Sequence, residues 1–207
     1  MNILFICTGN TCRSPMAEAL LKQKAPYINV QSAGLFAHSK NSANKYAVDV
    51  LKTYGITLDH TSQPVTEHLL QWADLVLTMT AQHKQSLIIE YPDFQTKYFT
   101  LKEYTTISND EVWDKLRKAY TEYETKRSLF IQAYKDELDQ EALKKQLKSY
   151  LVREMKRIQQ LESQLIHYDI ADPFGGDLSV YEETLEELDT YVSLLKTKID
   201  KCWGPNK

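Results

Sequence analysis

The sequence predicts an α/β fold with a parallel sheet, into which an antiparallel α-helical hairpin is inserted. Short apolar runs typical of strands buried on both faces recur in the first half of the chain. Helical patterns separate these runs, and strands that alternate with helices favour a parallel sheet covered by helices. From Ser108 to about Tyr168 the chain then lacks glycine and proline and is dense in charge. This change of pattern indicates the separate helical segment.

Four runs are the predicted strands, at residues 2–6, 29–33, 74–79 and 97–101. Pro15 suits the first turn of a helix after the first strand, because its missing N–H is not needed there. Further helices are predicted in "NSANKYAVDVLKTYG", which ends at Gly55, in "TEHLLQWA" and in "AQHKQSLIIEY". A last helix is predicted to run to about Cys202.

Residues 106–167 are predicted to form the hairpin, with a turn near Leu138–Glu141. Two rows of residues repeat about every 3.5 positions, and a single antiparallel register pairs them. That register sets Arg127 opposite Glu154, the only charged positions of the two rows. The alternatives are that these side chains pack on the rest of the chain or on a second subunit, or that the helices are a rigid spacer. The rows are Trp113, Leu116, Tyr120, Tyr123, Arg127, Phe130 and Tyr134, and Leu147, Leu151, Glu154, Ile158, Leu161 and Leu165.

Composition excludes several classes of protein. The formal net charge is −3, so the chain has no basic excess to neutralise nucleic-acid phosphates or anionic lipid. No apolar run approaches the roughly 20 residues of a membrane helix, and the start "MNILFICTGN" lacks signal-peptide features. Three cysteines, two of them in one loop, do not make a disulfide framework. We therefore expect a cytoplasmic protein without nucleic-acid or membrane partners.

The chemistry is predicted in the loop "CTGNTCRSP", residues 7–15, between the first strand and the first helix. A helix N-terminus and outward backbone N–H groups bind oxyanions such as phosphate, and Gly9 and Asn10 suit the tight turn that this requires. The same positive environment favours the thiolate of Cys7. Arg13 can hold two oxygens of one phosphoryl group with its planar guanidinium. Cys7 is thus a candidate nucleophile and Arg13 a candidate charge clamp.

Five motifs together resemble the low-molecular-weight protein-tyrosine-phosphatase family: "CTGNTCRSP", "SAG" at 32–34, "ADLVLTMT" at 73–80, "FTLKEY" at 99–104 and "DPFGG" at 172–176. Within that family the bacterial protein-arginine phosphatases are most similar, since their phosphate and acid loops also read "CTGNTCRS" and "DPFGG". The resemblance covers about residues 1–105 and 168–203. It implies a doubly wound, four-stranded, Rossmann-like sheet in a phosphatase domain of residues 1–105 plus 168–207, with residues 106–167 as an insertion that typical members lack.

The resemblance assigns roles by position. It makes Cys7 the nucleophile, Arg13 the transition-state clamp and Asp172 the general acid, and leaving-group chemistry independently requires such a proton donor. Ser14 hydrogen-bonds the thiolate, while Asn10, Ser32 and His60 brace the loop; for His60 a solvated turn histidine is the alternative. No cofactor or metal is implied. The residues expected to bind phosphate and substrate are Thr8, Gly9, Asn10, Thr11, Cys12, Ser14 and Phe174.

Thr11 and Gly175 indicate which phosphorylated protein is the substrate. Tyrosine-directed relatives tend to carry an aliphatic residue at the first position and an aromatic one at the second. A threonine hydroxyl can hydrogen-bond a guanidinium, whereas a phenyl ring prefers an apolar wall. The prediction is therefore hydrolysis of phosphoarginine on proteins through a phosphocysteine intermediate. The resemblance also implies that Cys12 traps Cys7 as a disulfide on oxidation.

Three other functions are alternatives to this prediction. The first is a phosphotyrosine phosphatase with a relaxed pocket. The second is a thioredoxin-coupled arsenate reductase, but that enzyme uses further cysteines near mid-chain, and residues 13–201 contain none. The third is a phosphate-sensing binding module whose hairpin docks a partner or joins two copies; the intact Cys7, Arg13 and Asp172 argue against an inactive site.

Overall fold

In a computed structural model, which describes residues 1–106, 110–135, 137–164 and 168–203, the chain divides into two compact units. One comprises residues 1–107 and 168–207, and the other residues 108–167. Within the described residues, four strands form one parallel sheet in the order β2-β1-β3-β4. They are β1 Asn2–Cys7, β2 Asn29–Gly34, β3 Leu75–Thr78 and β4 Tyr98–Thr100. The predicted four-stranded parallel sheet is confirmed.

Helices cover both faces of this sheet, which explains why β1 is apolar without interruption. Ile3 and Phe5 pack in a cluster with the helices at residues 13–24, 45–53 and 178–203, whereas Leu4 and Ile6 pack in a second cluster with the helices at 67–72 and 81–90. Each such buried side chain contributes about 1.5–3 kcal/mol. The helices are α1 Arg13–Lys24, α2 Lys45–Thr53, α3 Glu67–Trp72, α4 Ala81–Glu90, α5 Leu101–Thr105, α6 Asp110–Tyr134, α7 Gln140–Tyr150, α8 Val152–Gln164 and α9 Leu178–Trp203.

The second unit contains α6, α7 and α8; α6 ends at Tyr134 and α7 begins at Gln140, within the predicted turn. Asp139 caps α7 by accepting a hydrogen bond from the Ala142 N–H at 2.8 Å. Arg157 of α8 contacts Glu122 of α6 at 2.7 Å, and the Phe130 ring lies 4.9 Å from that of Tyr150. These contacts show that the helices run antiparallel. The second predicted helix is in two pieces, because α7 ends one residue before Leu151 and α8 begins one residue after it.

The predicted pairing of the two hairpin rows is confirmed for some residues and wrong for others. Leu116, Ile158 and Leu161 are buried together, as predicted. Glu154, however, pairs with Lys126 rather than with Arg127, which instead contacts Glu124.

Tyr120 is 44% exposed and Ala119 is buried in its place. The reason is that an α-helix has 3.6 residues per turn, so a row spaced at 3.5 drifts off the buried face. The side chain of Trp113 and all of Leu165 lie outside the described residues.

The described part of the chain contains neither a membrane-spanning helix nor a cluster of metal-ligating side chains. None of its helices has the length and apolar content needed to cross a membrane. None of its histidine, cysteine and acidic side chains gather in threes as metal ligands do.

Candidate active site

The loop after β1 and the loop before α9 enclose one pocket of about 240 Å³. It lies at the carboxyl edge of the sheet, where β1 ends at Cys7. Arg13 and Asp172 are 159 residues apart in sequence and in contact here. The lining residues are Cys7, Thr8, Gly9, Thr11, Cys12, Arg13, Asp172 and Phe174. The structure thus brings together eight of the residues that the sequence predicts for the site.

The Cys7 thiol sits at the base of the loop and is surrounded by hydrogen-bond donors. The Asn10 N–H donates to Cys7 Sγ at 3.3 Å, and the Ser14 hydroxyl lies 2.9 Å from the same sulfur. Helix α1 begins at Arg13, so its positive N-terminal end is directed at this loop. Both groups can donate a hydrogen bond to the Cys7 sulfur, and the helix end adds partial positive charge beside it.

Asn10 and Ser14 support the loop from the protein interior. Their side chains are buried and are not among the residues that line the pocket. Asn10 adopts a left-handed backbone with φ of 54°, which few residues other than glycine tolerate. Its side-chain amide donates to Ser14 at 3.0 Å and to Ser32 at 2.8 Å, and accepts from the Gln63 N–H at 2.9 Å. His60 Nε2 contacts the Asn10 carbonyl oxygen at 2.9 Å. The four contacts hold the strained turn in one conformation.

Gly34, the last residue of β2, allows this loop to pack against the sheet. A Cβ at this position would lie 2.7 Å from the Thr8 carbonyl oxygen and 2.8 Å from the Asn10 nitrogen. Both are backbone atoms that cannot rotate away. The close approach therefore requires glycine at residue 34.

We expect Gly34→Ala to displace the loop and lower the free energy of unfolding by about 1–3 kcal/mol, the scale of overpacking. Thermal unfolding measures the loss, and phosphatase activity should fall with it because the Asn10 N–H moves away from Cys7. Gly9→Ala is the matched control, since its nearest neighbouring atom would be 3.7 Å away. Equal destabilisation of the two variants would contradict the steric explanation.

Arg13 and Asp172 meet across the pocket. Arg13 is only 4% exposed; its Nη2 donates to Asp172 Oδ2 at 2.7 Å and its Nη1 to the Ile170 carbonyl oxygen at 3.3 Å. The Asp172 side chain is 53% exposed, and its Oδ1 accepts from the Phe174 N–H at 3.2 Å. The guanidinium is thus fixed in the protein while the carboxyl group remains open to the pocket.

The loop that carries Asp172 is held by two hydrogen bonds to residues that follow β3. The Ile170 N–H donates to the Met79 carbonyl oxygen at 2.8 Å. One residue earlier, the Asp169 carboxylate accepts from the Ala81 N–H at 2.6 Å, at the start of α4. Because parallel strands end at the same edge, an anchor at β3 places Asp172 beside the loop that follows β1.

Cys12, the second cysteine of the loop, has a different environment from Cys7. Its Sγ lies 3.5 Å from the Tyr181 hydroxyl and 3.6 Å from Thr11 Oγ1. Burial raises the pKa of the Cys12 thiol and also that of the Tyr181 hydroxyl. At neutral pH Cys12 is therefore protonated and a poor nucleophile.

Sequence reasoning missed His83, which contacts the pocket wall. It lies in the first turn of α4, only 7% exposed, with Nε2 2.9 Å from Thr8 Oγ1. Gln63, Gly34 and Tyr181 were missed as well. The order of the strands could have indicated His83. Helix α4 follows β3, which lies beside β1, so the start of α4 is expected close to the loop that follows β1.

A cysteine and an arginine six residues apart around a helix N-terminus, with an aspartate facing both, define a cysteine-dependent phosphatase site. A model of the family "Low molecular weight phosphotyrosine protein phosphatase" matches residues 2–153. The chain belongs to this family, and the resemblance noted in its sequence is confirmed.

Similar proteins match almost the whole chain. The protein-arginine-phosphatase of Bacillus subtilis (strain 168) is 46% identical over 205 residues, covering 97% of this chain and 98% of that protein. The protein-arginine-phosphatase of Geobacillus stearothermophilus is 32% identical, covering 95% of each. A solved structure of YwlE arginine phosphatase, a C7S mutant with a phosphorylated active site serine, superposes with a TM-score of 0.68 at 34% identity and covers 97% of each chain.

Proposed function

We propose that this protein hydrolyses phosphoarginine on proteins through a phosphocysteine intermediate. The observation that carries the proposal is the composition of the pocket: Cys7, Arg13 and Asp172 surround a space whose wall is polar at Thr11. Two near full-length relatives named protein-arginine-phosphatase support the same substrate. The YwlE mutant with phosphate on its active site serine supports a covalent intermediate at the corresponding nucleophile.

In the first step, the Cys7 thiolate attacks the phosphorus atom and forms an S–P bond as the P–N bond breaks. The leaving arginine nitrogen takes a proton from Asp172. A phosphoryl group over Cys7 offers its oxygens to the Arg13 guanidinium, which otherwise contacts the Asp172 carboxylate. Loop N–H groups around the pocket bind the remaining charge.

In the second step, water attacks the phosphocysteine, and Asp172 accepts the proton that the water loses. The S–P bond breaks and its electron pair returns to Cys7 as a thiolate. The Asn10 N–H and the Ser14 hydroxyl, 3.3 and 2.9 Å from Sγ, stabilise that leaving thiolate. Inorganic phosphate is released and the enzyme is regenerated without a cofactor.

The experiment that tests the substrate compares wild type with Thr11→Ile on peptides of one sequence that carry phosphoarginine or phosphotyrosine. We expect wild type to prefer phosphoarginine and Thr11→Ile to lower that preference at least about tenfold, since an aliphatic wall cannot hydrogen-bond a guanidinium. The measurement is the ratio of the two kcat/KM values. Thr11→Ser, which keeps the hydroxyl, is the control. A wild-type preference for phosphotyrosine would reject the proposal.

Hydrolysis of phosphotyrosine is the second candidate function. The observation that favours it is Phe174, an exposed aromatic side chain at the pocket that could stack on a phenyl ring. The same substrate comparison decides between the two functions. A binding module without turnover is disfavoured because nucleophile, clamp and acid line one pocket.

Reversible oxidation is a second part of the proposal. Peroxide would oxidise the Cys7 thiolate to a sulfenic acid. The Cys12 sulfur then attacks the sulfenic sulfur and loses its proton, so the S–S bond forms as the S–O bond breaks and water leaves. We expect peroxide-inactivated wild type to regain most of its activity with dithiothreitol. Cys12→Ser should regain little, because its sulfenic acid oxidises further. Equal recovery of both proteins would contradict the role of Cys12.

Association through the hairpin, with a partner or a second copy, remains part of the proposal. Several apolar side chains of its described part are exposed, which favours a contact surface: Leu129, Tyr150, Val152 and Met155.

A further inference from the structure

A buried histidine contacts the pocket wall, and the mechanism above uses neither its ring nor the hydroxyl that it touches. His83 Nε2 lies 2.9 Å from Thr8 Oγ1. Thr8 is exposed and lines the same pocket as Thr11. The contact joins residues 75 positions apart and connects the first turn of α4 to the phosphate loop.

We propose that Thr8 and His83 form a specificity-determining pair, in which His83 orients the Thr8 hydroxyl to accept a hydrogen bond from the guanidinium of a phosphoarginine substrate. Thr8 is the residue that touches the substrate, and His83 is a positioning residue that acts through it. The inference rests on the proposed function, because only a phosphoarginine substrate brings a guanidinium to this wall.

The position of the proton on His83 follows from its surroundings. His83 Nδ1 is buried without a hydrogen-bond partner among the described residues. A proton on Nδ1 would be an unsatisfied buried donor, which costs more than an unsatisfied lone pair on an imidazole nitrogen. We therefore assign the proton to Nε2, which donates it to Thr8 Oγ1.

The ring is also uncharged at neutral pH. Burial and the positive charge of Arg13 lower the pKa of His83 to about 4, against the opposing effect of Asp172 and Asp169. A neutral ring does not repel a cationic guanidinium. His83 thus fixes a hydroxyl without adding a charge to the wall.

The Thr8 oxygen that accepts from His83 keeps one lone pair and its own proton. Arginine nitrogens that carry hydrogen only donate, so the lone pair can accept a guanidinium N–H of the leaving group. The hydroxyl proton is then available to a phosphoryl oxygen. A phenyl ring offers no such donor and would desolvate the hydroxyl without compensation. Thr8 therefore adds a second polar group to the wall that already contains Thr11.

The test uses phosphoarginine and phosphotyrosine peptides of the same sequence and measures the ratio of their kcat/KM values. The variants are Thr8→Val, which is isosteric without the hydroxyl, Thr8→Ser, His83→Leu, and His83→Gln, whose amide can supply an N–H in place of Nε2. We expect Thr8→Val and His83→Leu each to lower the ratio about tenfold or more, the scale of one hydrogen bond to a charged group. Thr8→Ser keeps the hydroxyl and His83→Gln keeps an N–H donor. Both variants should therefore retain most of the wild-type ratio.

A double-mutant cycle separates positioning from a general structural effect. If His83 acts through Thr8, His83→Leu should not change the ratio further in the Thr8→Val background. Partial unfolding lowers both rates equally and leaves the ratio unchanged. His68→Leu, at an exposed histidine of α3, is the control.

An unchanged ratio in Thr8→Val, or an undiminished effect of His83→Leu in that background, would overturn the inference. Wild-type preference for phosphotyrosine would instead reject the proposed function, so the two failures are distinguishable.

Discussion

Cys7→Ser should abolish turnover of every substrate, with a loss of kcat of at least about 10⁴-fold, the scale seen when a nucleophile is removed. A serine hydroxyl at this position is not ionised at neutral pH, so the donors that stabilise a thiolate cannot make it an effective nucleophile. The fold should persist, because Cys7 and Ser are similar in size and Ser14 lies within hydrogen-bond reach at 2.9 Å from the present sulfur. Single-turnover kinetics measure the residual rate.

Cys12→Ser is the matched control, because it changes the other cysteine of the same loop. Burial keeps the Cys12 thiol protonated, and a serine there can still hydrogen-bond the Tyr181 hydroxyl. We expect this variant to keep most of its activity. Rapid acid quench and mass spectrometry should then find phosphate on Cys7 in wild type and in Cys12→Ser. Phosphate on Cys12, or full activity of Cys7→Ser, would contradict the assignment of the nucleophile.

Asp172→Asn should produce the second large effect, and its size should depend on the leaving group. General acid catalysis contributes about 10²–10⁴-fold, and a phenolate leaving from phosphotyrosine needs the proton more than a nitrogen leaving through a labile P–N bond. We expect a loss of about 10²-fold or more for phosphotyrosine and about tenfold for phosphoarginine. Steady-state kcat with both substrates measures the difference.

Asp177→Asn is the control for Asp172→Asn. Asp177 caps the start of α9 by accepting from the N–H groups of Ser179 and Val180, and it is not among the pocket residues. Asparagine can still cap a helix, so activity should stay within about twofold of wild type. Equal losses with both substrates in Asp172→Asn would mean that Asp172 orients Arg13 rather than donating a proton.

Much of the fold and of the pocket could be predicted because the relevant signals are local. The apolar run Ile3 to Ile6 is buried on both faces in a central strand, and a loop of small and polar residues at a helix N-terminus has the backbone N–H groups and the dipole that favour an anion. Asp172 was found through the acid-loop motif, and the structure sets it 2.7 Å from Arg13.

The hairpin shows where local reasoning failed. Its turn, the burial of Leu116, Ile158 and Leu161 and the position of Tyr123 against them were predicted. The charged pair was predicted with the wrong partner: Glu154 contacts Lys126 instead of Arg127, because the buried face drifts along the helix by one residue. The break at Leu151 was not visible in a row of apolar residues that continues through it.

By itself the sequence predicted the four strands, most of the helices and the residues expected to carry the chemistry, because periodicity indicates the elements and a nine-residue loop contains most of the candidate site. Only the tertiary structure decided which distant groups surround that loop. Gly34 allows the backbone to approach, His60 and Gln63 hold Asn10, and His83 reaches Thr8 across 75 positions. These contacts form because the parallel strands end at one edge of the sheet. They cannot be predicted from the spacing of residues along the chain.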